Sequence, residues 1–274
     1  MTGVMRTDTD RRVSDTARST DAGDYQRTPH PAAVLAKSFA DGETIAAHAH
    51  RRHQLVWASR GVMRVETADG AWIVPTNRAL WIPAGEVHAL RMAGTVDMRT
   101  LYLEPGSAAV PERPKLVSAS ALLRALLLDA AGWPLDRQDR RAALVTELIL
   151  DELATLDAAP LYLPTPSDLR LKRVCDGLLA DPGSPWTIEQ WAWHVGASAR
   201  TVARLFERET GMRFRDWRQQ ARLAVALVEL ARGTPVSRLA RDLGYRNPSA
   251  FTVAFRKAMG TAPASTRSAS HETT

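Results

Sequence analysis

The feature that most limits how this chain can fold is an internal repeat in its last third: Gly196 aligns with Gly244, Phe206 with Phe255 and Gly211 with Gly260, at an offset of 48 to 49 residues. Self-similarity at such an offset means one supersecondary unit built twice. In the first copy, Thr187 opens a short helix, Ile188 to Val195, with Ile188, Trp191, Ala192 and Val195 on one face, and Gly196 marks a tight turn. Ser198 caps the next helix. There Val202, Leu205 and Phe206 recur at helical spacing and turn inward, which leaves Arg200, Thr201, Ala203, Arg204 and Arg208 outward. In the second copy, Val236, Leu239 and Ala240 start the first helix, Gly244 makes the turn, and Asn247 caps a helix with Pro248 at its first position. Its inward side is Phe251, Ala254 and Phe255; its outward side is Ser249, Ala250, Thr252, Val253 and Arg256. Between the copies, Phe214 to Ala231 lacks breakers and predicts one helix about 27 Å long, at about 1.5 Å per residue. Such a spacer is of the order of one turn of B-DNA, about 34 Å, so the pattern predicts two recognition helices presented to successive major-groove faces.

Charge agrees with a polyanionic partner. Residues 168–274 carry 17 Lys and Arg against 10 Asp and Glu, whereas residues 1–167 carry 19 against 20, so the net charge of +6 belongs to the repeat. Cys175 is the one cysteine, which rules out an intrachain disulfide and a cysteine-built zinc site, and it suits a reducing cytoplasm. Residues 1–29 are rich in Thr, Asp and Arg without an apolar core, so they predict a disordered tail and no signal peptide. No stretch approaches the roughly 18 apolar residues of a membrane span.

The repeat resembles the DNA-binding region of the AraC/XylS transcriptional regulators. The residues that carry the likeness are Ala192, Gly196-Ala197-Ser198, Arg200, Leu205-Phe206, Gly211, Phe214, Trp217, Arg222-Leu223, Ala226 and Gly233, then Ala240, Leu243-Gly244-Tyr245, Ser249, Phe251, Phe255, Gly260 and Pro263. One departure is Thr266, where the family usually has Tyr before Arg267. The resemblance implies double-stranded promoter DNA as the partner, RNA polymerase as a second one if the protein activates, and outward residues of both recognition helices, notably Arg200 and Arg204, as readers of bases and phosphates.

The front half reads differently. Short β-type runs, Gln54 to Ala58, Val62 to Thr67, Ala71 to Val74, Ala79 to Ile82 and Met98 to Leu103, with an Asp69-Gly70 hairpin turn, predict a small barrel or sandwich. Four of the seven histidines, His48, His50, His53 and His88, fall in it. The spacing Gly42, His48, His50, Gln54, Gly61 is that of a first cupin motif, and Pro83-Ala84-Gly85 with His88 resembles the second. His48 and His50 share a strand face, and with His88 opposite them three imidazoles can meet around a divalent transition metal. Gln54 stands where metal-binding cupins usually carry Glu, and Asn77 and Met92 depart from the second motif. The alternative is therefore a pocket in which His48, His50, Gln54 and His88 bond an unknown small-molecule effector or one another. Trp72, Val74-Pro75, Arg78-Ala79, Trp81-Ile82 and the residues to His88 also resemble a cupin-bearing subgroup of the same regulators, which implies effector sensing.

The expected architecture is α+β: a tail (1–29), a cupin-like β-barrel (30–110), a helical segment (111–158), a linker (159–167) rich in proline, an all-α domain with two helix-turn-helix motifs (168–267) and a second tail (268–274). In the helical segment, Leu122, Leu123, Leu126 and Leu127, then Leu144, Val145, Leu148 and Ile149, predict two helices that either pack on the barrel or join a homodimer. Two rivals to a regulator remain: a cupin oxygenase or isomerase with His48, His50 and His88 holding iron or manganese beside an accessory helical domain, and a non-specific architectural DNA binder.

Overall fold

Strand β1 (Ala32–Phe39) starts a single eight-stranded antiparallel sheet that also contains β2 (Thr44–His48), β3 (His53–Thr67), β4 (Gly70–Val74), β5 (Arg78–Ile82), β6 (His88–Leu103), β7 (Lys115–Ser118) and β8 (Tyr162–Pro164). These elements come from a computed structural model that describes residues 19–107, 110–154 and 161–264. Two long strands organise the sheet. β3 and β6 pair along most of their length, and register shifts between Ala58 and Val62 divide that pair in two. On one side of the shift the order runs β1, β6, β3, β5, β7; on the other, β2, β6, β3, β4, β8. The hydrogen-bonded path does not return on itself, so the expected barrel is an open, folded-over sheet. Bulges bend a strand and increase its local twist, which lets two long strands serve both halves. The β3–β4 turn is Ala68-Asp69 rather than Asp69-Gly70, because Gly70 already pairs with Thr67.

Helices α2 (Ala121–Ala130) and α3 (Arg140–Ala154) cover the outer face of the β1–β7 half. Leu123, Leu126, Leu127, Val145, Ile149 and Leu153 join Leu55, Trp57, Trp81, Leu101 and Val117 in one buried cluster. Leu122, Leu144 and Leu148, which share the same leucine pattern, remain 45–49% exposed with Leu128. The leucine stripe is wider than the sheet needs.

Three further expectations change. Part of the predicted tail folds: α1 (Ala22–Arg27), capped by Asp21, lays Tyr25 against Leu35 and Tyr102, and buried Arg52 bonds the carbonyls of Thr28 and His30. Residues 1–18 lie outside the described residues. β7 lies within the stretch expected to be helical. The predicted linker contains β8, which pairs with β4 and stacks Tyr162 on Trp72 at 4.1 Å. The expected second tail, 268–274, and Thr266 also fall outside the described residues.

The rest is helical: α4 (Leu169–Ala180), α5 (Ile188–His194), α6 (Ala199–Thr210), α7 (Phe214–Ala231), α8 (Val236–Asp242) and α9 (Pro248–Met259). The 18-residue α7 runs through the middle, burying Trp217, Leu223, Ala226, Leu227 and Leu230. It also rests on the sheet. Gly94, at φ +68°, comes so close to α7 that a Cβ there would meet the Ala231 carbonyl oxygen at 2.4 Å. Beside it Asp41 accepts from Gly94 N at 2.9 Å and from Arg232 Nε at 3.2 Å, so one carboxylate ties the sheet to the end of the helix. Among the described residues no helix is long and apolar enough to cross a membrane.

Candidate functional site

Each copy of the repeat has the two-helix form its sequence predicts. In α5 the capping box is complete: Thr187 and Gln190 exchange side-chain and backbone bonds. Ser198 Oγ accepts from Thr201 N at 3.1 Å, and α6 then buries Val202, Leu205 and Phe206. Arg200, Arg204 and Arg208 are exposed, and Thr201 and Ala203 are half-buried. The three arginines differ in freedom. Arg208 pairs with Glu209 at 2.6 Å, and Glu209 also accepts from the backbone of Ser167 and Asp168, so that carboxylate ties α6 to the start of α4 and partly neutralises Arg208. In the second copy Asn247 Oδ1 accepts from Ala250 N at 2.8 Å. Ser249, Ala250, Val253 and Arg256 are exposed, whereas Thr252 is half-buried with its hydroxyl donated to the Pro248 carbonyl. That back-bond removes a donor that the outward position suggested. Val253, 68% exposed, stands as an apolar contact surface in mid-helix. Two further exposed cations frame this helix, Arg246 ahead of the cap and Lys257 in the last turn. The helical pattern could not point to Arg246, which lies outside the helix.

In the front half, His48 ends β2 directly opposite His88, the first residue of β6, and His50 follows just beyond the strand. The three rings converge: centroids are 4.7 Å apart for His48 and His50, 4.4 Å for His48 and His88, and 5.4 Å for His50 and His88. One ligand nitrogen from each lies within 4.8 Å of the others. His48 Nδ1 bonds the Ala46 carbonyl at 2.7 Å and His88 Nδ1 the Glu86 carbonyl at 2.9 Å. A carbonyl only accepts, so both Nδ1 atoms carry a proton, and a ring that holds only that proton turns an Nε2 lone pair elsewhere. His88 Nε2 is buried with no partner among the described residues. His50 Nε2 sits 3.1 Å from His48 Nε2. That contact is a hydrogen bond when one of the two Nε2 atoms holds a proton and the other does not, and a pair of facing lone pairs when neither does. Burial, then the neighbouring His48 and His88, pushes His50 down to about 4, and burial pushes His88 down as well, so both rings are neutral near pH 7.

Around this cluster the chemistry is mixed. Tyr102 meets the His50 ring edge-on at 5.1 Å and pairs across the sheet with Gln54, which is buried with Oε1 lacking a partner among the described residues. Thr100 Oγ1, on the same sheet face, is likewise unpartnered. His53 faces away, accepting from Ala84 N and lying against Trp81. The cluster and the sheet face beside it thus carry orphaned polar atoms that a bound group could satisfy. Nothing in the sequence singles out Tyr102 or Thr100, because their role follows from strand pairing with residues about 50 positions away.

A family model described as an AraC-like ligand binding domain matches residues 32–153, and one described as a helix-turn-helix domain matches residues 191–269. Along most of its length the chain is similar to the HTH-type transcriptional regulator NimR of Escherichia coli K12, with 32% identity over 243 residues, 87% of this chain and 89% of that protein. It is also similar to the HTH-type transcriptional activator RhaR of Klebsiella pneumoniae, 22% identical over 85% of this chain and 92% of that one. The HTH-type transcriptional regulator RipA of Corynebacterium glutamicum matches at 34% identity over 36% of this chain and 30% of RipA.

Proposed function

This chain belongs to the AraC family of helix-turn-helix transcriptional regulators, with an AraC-like ligand-binding domain ahead of its DNA-binding domain, and from that we propose that occupancy of the pocket around His48, His50 and His88 controls how its recognition helices hold promoter DNA. The observation that carries the proposal is the convergence of three imidazoles, two already oriented by backbone carbonyls, inside the domain the family uses for ligand binding. Arg200 and Arg204 of α6 have no ion-pair partner among the described residues and supply base and phosphate contacts, while Val253, Ser249 and Ala250 of α9 read a smaller, less charged stretch.

The same three histidines fit a divalent transition metal, because imidazole is a favoured ligand and a ring nitrogen engaged by a carbonyl is the usual support of a metal-binding histidine. When bound, such an ion supplies positive charge that can hold an effector oxygen or tie β2 to β6. Gln54 and Tyr102 orient what enters. With a neutral amide in place of a carboxylate, and with burial raising the Tyr102 pKa so that the phenol stays protonated, the cluster suits binding rather than turnover.

The protein acts as a homodimer through the outer faces of α2 and α3. Leu122, Leu144 and Leu148 are too exposed to serve their own core, and one apolar patch per chain is self-complementary about a two-fold axis. Where the protein activates, RNA polymerase is the second partner.

The test uses a duplex selected from a random library by the full-length protein, and reads its affinity by fluorescence anisotropy at fixed salt, with zinc or manganese added and after chelation. The metal reading expects at least a fivefold change in affinity, abolished in His50→Ala, whose basal DNA binding is retained. Unchanged affinity across metals and cellular small-molecule extracts removes the histidine pocket from the control of DNA binding. No selected sequence above random DNA would favour an architectural binder.

A further inference from the structure

The histidine cluster is not the only candidate binding site in the front half. A cleft of about 360 Å³ lies outside it, between β1 and β6 on one side and the α2–α3 hairpin with α1 on the other. Its walls include the large side chains of Tyr25, Val34, Leu101, Trp133, Ile149 and Leu150. Its size falls at the lower end for small-molecule sites, and its make-up, apolar walls with a few polar groups, is of that kind.

The polar groups narrow the ligand. Arg137 lies over the Trp133 ring at 4.4 Å, which fixes that wall, and pairs with Asp139 at 2.8 Å, so the rim cation is neutralised by its neighbour. A charged ligand would have to break that pair or face Glu147. His30 also lines the cleft; its Nε2 is shut off from solvent without a hydrogen-bond partner among the described residues, so a ligand in the cleft reaches that nitrogen only once the ring turns toward it. A buried imidazole nitrogen without a partner costs free energy that a ligand group can recover.

We infer that this cleft is a second small-molecule site, taking an uncharged, mainly apolar aromatic compound that carries one hydrogen-bonding group for His30. It stands apart from the histidine cluster, since none of His48, His50 and His88 lines it. The placement gives it a consequence. Thr146, Ile149 and Leu150 of α3 face the cleft, while Leu144 and Leu148 stand exposed on the same helix, so a bound compound braces the helix that carries the apolar surface patch.

The test titrates the full-length protein with N-phenyl-1-naphthylamine, an uncharged aromatic amine whose emission rises in apolar surroundings. Expected is a saturable rise at one probe per chain. Two separate variants fill the cleft, Ala143→Phe and Ala33→Phe, and each should weaken probe binding at least tenfold while circular dichroism stays native. Binding should survive unchanged in His50→Ala and in Leu144→Ser/Leu148→Ser, which leave the cleft intact. A non-saturable signal or none, undiminished binding in both filled variants, or loss of binding in the His50 or leucine variants overturns the inference. If one filled variant fails to fold, the other decides.

Discussion

Gly94→Ala tests whether the two halves of the molecule are mechanically joined through α7. An alanine at φ +68° carries the ordinary cost of a left-handed residue, about 1–2 kcal/mol. Gly42→Ala, at φ +82° with nothing within 4 Å of the added methyl, carries that cost alone and serves as the control. At Gly94 the methyl also lands 2.4 Å from the Ala231 carbonyl oxygen, about 1 Å inside ordinary contact, and the obstacle is helix backbone that cannot rotate aside. Either β6 or the end of α7 must retreat, which adds about 1–3 kcal/mol of overpacking strain. The retreat also pulls on the Asp41 carboxylate that bonds both Gly94 N and Arg232. At about 2–4 °C per kcal/mol for a unit of this size, Gly94→Ala should unfold at least about 2 °C below Gly42→Ala in thermal melts followed by circular dichroism. It should also blunt any effector response in DNA binding while leaving basal affinity near wild type. Equal losses of melting temperature in the two variants, with the effector response intact, would refute a tight sheet-to-α7 contact.

Other outcomes can be checked more quickly. Arg204→Ala should cost about 1–3 kcal/mol on the selected duplex and less on random DNA if the side chain reads a base; a uniform loss on both would reassign it to phosphate. Ser198→Ala removes the cap on α6 and should cost about 1 kcal/mol of stability in a denaturant titration, whereas Ser198→Asp keeps the cap but places a carboxylate beside the DNA backbone, so stability should hold while DNA affinity falls. Should the two variants behave alike in both assays, the cap and the interface are not separable at this residue. Cys175 is 3% exposed, and burial pushes its thiol up, so below pH 9 it stays protonated as well as shielded. Iodoacetamide at pH 8 should label it at least about a thousandfold more slowly in the native protein than in denaturant, since access requires unfolding. Comparable rates would mean that α4 opens locally.

The helical half was legible in the sequence because its signals are local. Caps at Ser198 and Asn247, and apolar spacing in α6, α7 and α9, each act within a few residues, and tertiary packing agreed with them. What spacing could not show was how outward side chains are used: Arg208 and Thr252 point the expected way but are engaged by Glu209 and by the Pro248 carbonyl. In the front half, β3 and β5 announced themselves by β-branched and aromatic runs. β2 did not, because most of its residues are exposed and carry no alternation. β8 holds Pro164, a residue that reads as a break, yet at the sheet edge its missing N–H costs no ladder bond. The cupin-like motifs raised the case of His88 facing His48, which strand pairing realises, but Tyr102 reaches His50 through a β3–β6 register that spans too many residues for any local pattern to encode.

The three residues of β8 bear on how this protein can be taken apart. A front half cut at residue 158, where composition suggests a boundary, would lose the strand that covers β4 and leave Gly70 to Trp72 as a bare edge beside an unstacked Trp72. Bare edges recruit strands from other molecules. An isolated sensing half made that way should therefore exchange or aggregate, and one ending after Pro164 should not. In a chimaera that swaps DNA-binding halves between relatives, the sheet's last strand has to travel with the half it completes.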